Sequence, residues 1–159
     1  MTRTWPPNWD QLVKGVGCSM CASERLDRDR YGVRIHTGRY SDSYLQRADV
    51  QRGYTLVIWR GRHVSEPTEL TEAEANGYWA DVLDVARGLI AHYQPLKLNY
   101  ETLGNSLPHL HTHLVPRYIA DPAPGAPFPL LPVDDTFPIL PEDQVEAEAR
   151  ALQSLITQR

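Results

Sequence analysis

From position 109 the chain reads HLHTHLVPR, with histidine at 109, 111 and 113. In an extended strand, successive side chains point to opposite faces. His109, His111 and His113 then share one face, and Leu110, Thr112 and Leu114 share the other. The fold must therefore hold a strand with a packed apolar back and a row of imidazoles in front.

The rest of the sequence supplies neighbours for that strand. "YGVRIHT" (31–37) alternates and is rich in β-formers, and "YTLVIWR" (54–60) reads as a more buried strand. "SDSYLQRADV" between them suits a second short strand. "LKLNYETL" (96–103) is a further strand leading to the one at 109–117. Thr71 followed by Glu74 forms a capping box. Trp79, Val82, Leu83, Ala86, Ile90 and Tyr93 then recur at helical spacing, predicting a helix of about 20 residues with one apolar face, stopped by Pro95. Strands with short connections around one long helix predict an α+β fold with an antiparallel sheet.

After position 120 the character changes. "DPAPGAPFPLLPVDDTFPILP" carries seven of the thirteen prolines, which predicts an extended surface segment or a linker. Val145, Ala149, Leu152 and Ile156 predict a short terminal helix. The expected organisation is a domain over 1–120 and a Pro-rich extension with that helix over 121–159, packed on the same domain or on a partner subunit.

A net charge of -4 disfavours a protein that coats nucleic acid or a membrane surface. No apolar run reaches the length of a membrane span. "MTRTWPPNWD" has Trp and Pro where a signal peptide needs a continuous apolar stretch. A cytoplasmic location is expected.

Only two cysteines occur, Cys18 and Cys21. In a reducing compartment such a pair is half of a metal site or a redox couple. A zinc site of Cys and His would need two histidines more. His109 is one candidate and His63, just beyond the strand at 54–60, is another. One metal cannot engage the whole histidine row. His109 and His113 lie about 13 Å apart along a strand, and Zn–N bonds are only about 2 Å. Adjacent members could share a metal, but the row as a whole implies at least two separate jobs, and the second suits His111. A histidine can attack phosphorus as a covalent nucleophile. His113 is placed to bind phosphate or move a proton. The loop Gly104, Asn105, Ser106 offers backbone N–H groups, an amide and a hydroxyl.

"HLHTHLV" fits the histidine-triad pattern, His-φ-His-φ-His-φ-φ, apart from Thr112 at one φ position. The longer "LNYETLGNSLPHLHTHLVPRY" resembles the bacterial HIT-domain hydrolases, as does "RGYTLVIWRGRHVSEPTELTEAE". The similarity covers about residues 16–118. It implies a five-stranded antiparallel sheet with one long helix, commonly dimerised. It further implies hydrolysis or transfer at a nucleotide α-phosphate, with a purine expected. By that resemblance His111 forms the nucleotidyl-histidine, its other nitrogen held by the His109 carbonyl, while His113 contacts phosphate and Ser106 the leaving group. Asn99, Gly104, Asn105 and Gln46 would bind nucleotide. Zinc-bearing members use positions that map onto Cys18, Cys21, His63 and His109.

Two positions depart from the pattern. Tyr54 stands where many relatives have a histidine entering the third strand. Gln46 stands where relatives direct Asp or Asn to the ribose. The competing reading is a non-catalytic nucleotide-binding module stabilised by zinc.

Overall fold

The computed structural model describes residues 4–22, 26–28, 32–129 and 138–157. Two short helices, α1 (Trp9–Leu12) and α2 (Ser19–Ala22), precede the strands β1 (Gly32–Thr37), β2 (Ser41–Gln46) and β3 (Thr55–Trp59). A 3-10 turn (Pro67–Glu69) leads into α3 (Glu72–Tyr93). Strands β4 (Lys97–Glu101) and β5 (His111–Arg117) follow, and α4 (Glu142–Thr157) ends the described chain. The five strands form one antiparallel sheet in the order β1-β2-β3-β5-β4. The α+β expectation holds. Of the Pro-rich stretch, residues 121–129 and 138–141 are described, and residues 130–137 lie outside the described residues.

Helix α3 starts where its capping box places it. The Thr71 hydroxyl accepts from the Glu74 amide, and the Glu74 carboxylate accepts from the Thr71 amide at 2.8 Å. It ends at Gln94, in the left-handed conformation (φ 48), just before Pro95. Its inward face differs from the expected one. Tyr78, Val82, Val85, Ala86, Leu89 and Tyr93 are buried, whereas Trp79, Leu83 and Ile90 are exposed. The helix carries two apolar stripes, and the sheet takes only one of them.

Buried Val145, Ala149, Leu152 and Ile156 seat α4 in the same core, with Val33, Ile35 and Leu89. Polar contacts fix its rim: Arg28 pairs with Glu142 and Glu146, and Tyr93 donates to Glu148. The histidine-bearing face of the sheet has a second, smaller core. It contains Cys18, Met20, Tyr44, Tyr54, Leu56, Ile58 and Val115, with Phe128 packed against them. The N-terminal segment and the start of the Pro-rich segment thus close over this face.

Candidate functional site

Strand β5 begins at His111, two residues later than the alternation predicts. Behind Pro108, the His109 amide donates back to the Leu107 carbonyl at 2.8 Å, which holds His109 off the ladder. Its ring swings toward the N-terminal segment. Cys18 Sγ and Cys21 Sγ each lie 3.4 Å from His109 Nδ1, and Cys21 Sγ lies 3.2 Å from His63 Nδ1. The four donor atoms lie within 4.8 Å of one another. Ligands on a tetrahedral zinc are separated by about 3.6 Å for an S and N pair, from bond lengths of about 2.3 and 2.0–2.1 Å. The donor set therefore fits such an ion in both chemistry and spacing.

The surroundings of the cluster orient each ligand. His109 Nε2–H donates to the Trp59 carbonyl at 2.9 Å, leaving Nδ1 as the free lone pair. His63 Nε2 meets Ser65 Oγ at 3.2 Å, and Ser65 Oγ reaches the Pro108 carbonyl at 3.0 Å. Arg60 lies beneath the cysteine loop. It bonds the Met20 carbonyl at 2.9 Å and pairs with the fully buried Asp42 at 2.8 Å. Burial, followed by hydrogen bonding and charge from Cys18, pushes the Cys21 thiol up to about 11. Burial draws His109 down to about 4.

The other two histidines do different things. A carbonyl oxygen can only accept, so His111 Nδ1–H donates to the His109 carbonyl, at 2.6 Å. That leaves Nε2 with its lone pair and no hydrogen-bond partner among the described residues. Burial lowers the pKa of His111, against the pull of that hydrogen bond. His113 stacks edge-on beside it, ring centroids 4.8 Å apart. Its Nδ1 lies 2.7 Å from the Tyr54 hydroxyl. Burial, then the neighbouring His111, draws His113 down to about 3. Both rings are neutral at neutral pH, and neither offers phosphate a full positive charge.

The remaining candidates are spread around this pair. Gly104 has φ +94, which a side chain would strain, while a Cβ there would meet nothing closer than 3.7 Å. Its role is thus to turn the chain. Asn105 and Ser106 follow it, exposed on the loop between β4 and β5. Asn99 lies on β4 opposite Val115, two positions from the Glu101–His113 pair. Its Oδ1 accepts from Arg117 at 3.4 Å. Gln46 ends β2, and its amide donates to the Tyr54 carbonyl at 2.9 Å.

Arg117 went unassigned in the sequence, and it organises what lies beyond β5. It holds Asp121 through Nε at 2.6 Å and through a second guanidinium nitrogen at 3.1 Å. The same guanidinium binds the carbonyls of Ala123 (2.7 Å) and Ala126 (2.9 Å). This clamp folds 121–128 back as a strap over the sheet. Beneath it opens a cavity of about 600 Å³ lined by Lys97, Asn99, Arg117, Tyr118 and Pro124. An i, i+4 Arg–Asp pair past a strand end was the available signal.

The model of the HIT domain family matches residues 36–120 of the chain. The chain is 30% identical over 91 residues to "Protein hit" of Bacillus subtilis, a match spanning 54% of this chain and 62% of that protein. Among solved structures it is similar to a histidine triad protein from Bradyrhizobium japonicum, with a TM-score of 0.70 and 24% identity. That superposition covers 79% of this chain and 91% of the other. It is also similar to a zinc-bound histidine triad family protein from Mycobacterium smegmatis, with a TM-score of 0.61 and 22% identity, over 89% and 94% of the two chains.

Proposed function

Because the chain belongs to the HIT domain family, we propose that it is a nucleotide hydrolase or transferase that works through a nucleotidyl-histidine intermediate on His111. The observation that carries this reading is the 2.6 Å hydrogen bond from His111 Nδ1–H to the His109 carbonyl. It leaves Nε2 as a neutral, buried nucleophile pointing its lone pair away from that carbonyl.

In the first step Nε2 bonds to the α-phosphorus, and the bond from phosphorus to the leaving group breaks. The imidazole becomes cationic, and the His109 carbonyl stabilises the Nδ1–H of that cation. The departing group needs a proton or a hydrogen bond, for which His113 and Ser106 are the candidates. In the second step water attacks phosphorus and the Nε2–P bond breaks, releasing a nucleoside monophosphate. Asn99, Gly104, Asn105 and Gln46 are the proposed nucleotide contacts. Phosphoramidates and dinucleoside polyphosphates of a purine nucleoside are the substrate classes to try first.

Cys18, Cys21, His63 and His109 would hold a structural zinc. A cation there favours the thiolates and the neutral imidazoles that these residues would contribute. Its part is to tie the N-terminal segment to the residue whose carbonyl orients His111. Such a site suits a reducing compartment like the cytoplasm. A second copy of the chain is the proposed partner. Trp79, Leu83 and Ile90 on α3, with Tyr100 and Leu103 beside the sheet edge at β4, are exposed apolar residues of the kind such an interface covers.

Intact-protein mass spectrometry after brief mixing with an adenosine phosphoramidate or a diadenosine polyphosphate tests the reading. Wild type should gain a transient nucleotidyl mass. His111→Asn should gain none while keeping its fold and bound zinc. No adduct and no released AMP from any nucleotide tried would overturn the enzyme reading in favour of a binding module.

A further inference from the structure

Tyr54 replaces an imidazole with a phenol beside the row of histidines, and its surroundings give that exchange a consequence. The ring is 6% exposed and packs edge-on against His113 (centroids 5.8 Å apart) and against Phe128 of the strap (6.2 Å). Phe128 in turn lies under the Arg117 guanidinium, 5.6 Å from ring centroid to carbon. Just before it, Gly53 holds φ +78, where a Cβ would come within 2.6 Å of the Tyr93 ring. The turn that aims Tyr54 is therefore closely fixed.

The contact between the Tyr54 hydroxyl and His113 Nδ1 measures 2.7 Å. Two proton arrangements could make it. If the imidazole donated from Nδ1, the phenol proton would have no acceptor among the described residues. It would be a buried donor left without a bond, which is costly. If the phenol donates, the buried phenol has its acceptor, and the unpaired proton falls to His113, whose ring is only half-buried and can meet solvent or a ligand. The phenol proton goes to Nδ1, and the single imidazole proton sits on Nε2. Burial, and then the charge of Glu101, raise the pKa of Tyr54, so the phenol keeps its proton. His113 stays neutral because burial holds it down.

We propose that Tyr54 is a positioning residue that locks His113 as its Nε2–H tautomer, so that His113 presents a proton to a bound phosphate, and that the Phe128 strap holds Tyr54 in that pose. In the opposite tautomer His113 would turn a lone pair toward phosphate oxygens and repel them. A histidine at position 54 could donate or accept, and would leave the choice open. A phenol closes it. The catalytic consequence rests on the proposed function of His111, whereas the tautomer does not.

The test separates the two. Long-range ¹⁵N–¹H NMR of imidazole-labelled wild-type protein without nucleotide reads the tautomer directly. His113 should show an unprotonated Nδ1 and a protonated Nε2; the reverse pattern overturns the proposal, whether or not any nucleotide is turned over. Tyr54→Phe keeps the ring and removes the donor. Its His113 signals should move toward a mixture of tautomers, and kcat should fall roughly tenfold or more with a smaller change in KM. Unchanged signals in Tyr54→Phe would also overturn it. Phe128→Ala should move the same signals part of the way. If Phe128→Ala leaves both signals and kcat as in wild type, the strap has no such role.

Discussion

Thr112 stands between two histidines and faces away from both. Its hydroxyl lies 2.8 Å from Tyr78 and 2.9 Å from Thr102, and Tyr78 donates to the Val57 carbonyl at 3.2 Å. Since Tyr78 spends its proton on Val57, Thr112 must donate to Tyr78, and Thr102 to Thr112. A chain of hydroxyls, buried at Tyr78 and Thr112 and reaching the surface at Thr102, thus pins the backbone between His111 and His113 to α3. Thr112→Val keeps the shape, but it withdraws one donor and one acceptor. Denaturant unfolding should show a loss of about 1–3 kcal/mol, and Thr112→Ser should recover most of it. The one break in the alternation of the triad, where an apolar residue was expected, is explained by this partner on α3. Sequence spacing cannot reveal such a partner. Nor could it reveal that Tyr54 meets His113, because the contact depends on how β3 and β5 align.

The elements most readable from sequence were those with a local cause. Strand period, the Thr71–Glu74 box and the stop at Pro95 each act within a few residues. The inward face of α3 was not readable. Trp79, Leu83 and Ile90 have the same helical spacing as the buried stripe, and only the sheet decides which stripe it covers. The strap is a third case, since its anchor is electrostatic rather than periodic. Asp121 is drawn from 3.8 down to about 2, chiefly by its hydrogen bond from Arg117. A depressed carboxylate adds stability above its unfolded pKa and loses it as pH falls through the folded value. Wild type should therefore exceed Asp121→Asn in stability by a constant margin above about pH 4. That margin should shrink to nothing between pH 4 and pH 2, as read from unfolding midpoints at a series of pH values. A margin independent of pH down to 2 would mean the ion pair does not hold the strap.

At the scale of the molecule, two faces of the sheet have separate duties. One packs α3 and α4 into the main core. The other carries the histidines under the N-terminal segment and the strap. Among the described residues, no helix is long and apolar enough to cross a membrane. The outward stripe of α3, with Trp79, Leu83 and Ile90, is exposed on the single chain. Burying Leu83 between two copies predicts that Leu83→Glu weakens self-association at least tenfold in sedimentation velocity, with little change in the unfolding of the separated chain. An unaltered sedimentation profile would assign the stripe to some other contact.

The two margins of the sheet are unequal. Outside β1, Arg28 bridges to Val33, the Arg34 amide donates to the Asp27 carbonyl at 2.8 Å, and α4 packs alongside. Outside β4 no described strand pairs. A ladder that can be extended on one side only has a natural stopping point. In the proposed dimer, if the two copies meet at β4, each outer margin of the combined sheet would be a covered one. Further strands would find no template there, and growth toward fibrils would be cut off by the same residues that tuck the terminal helix against β1.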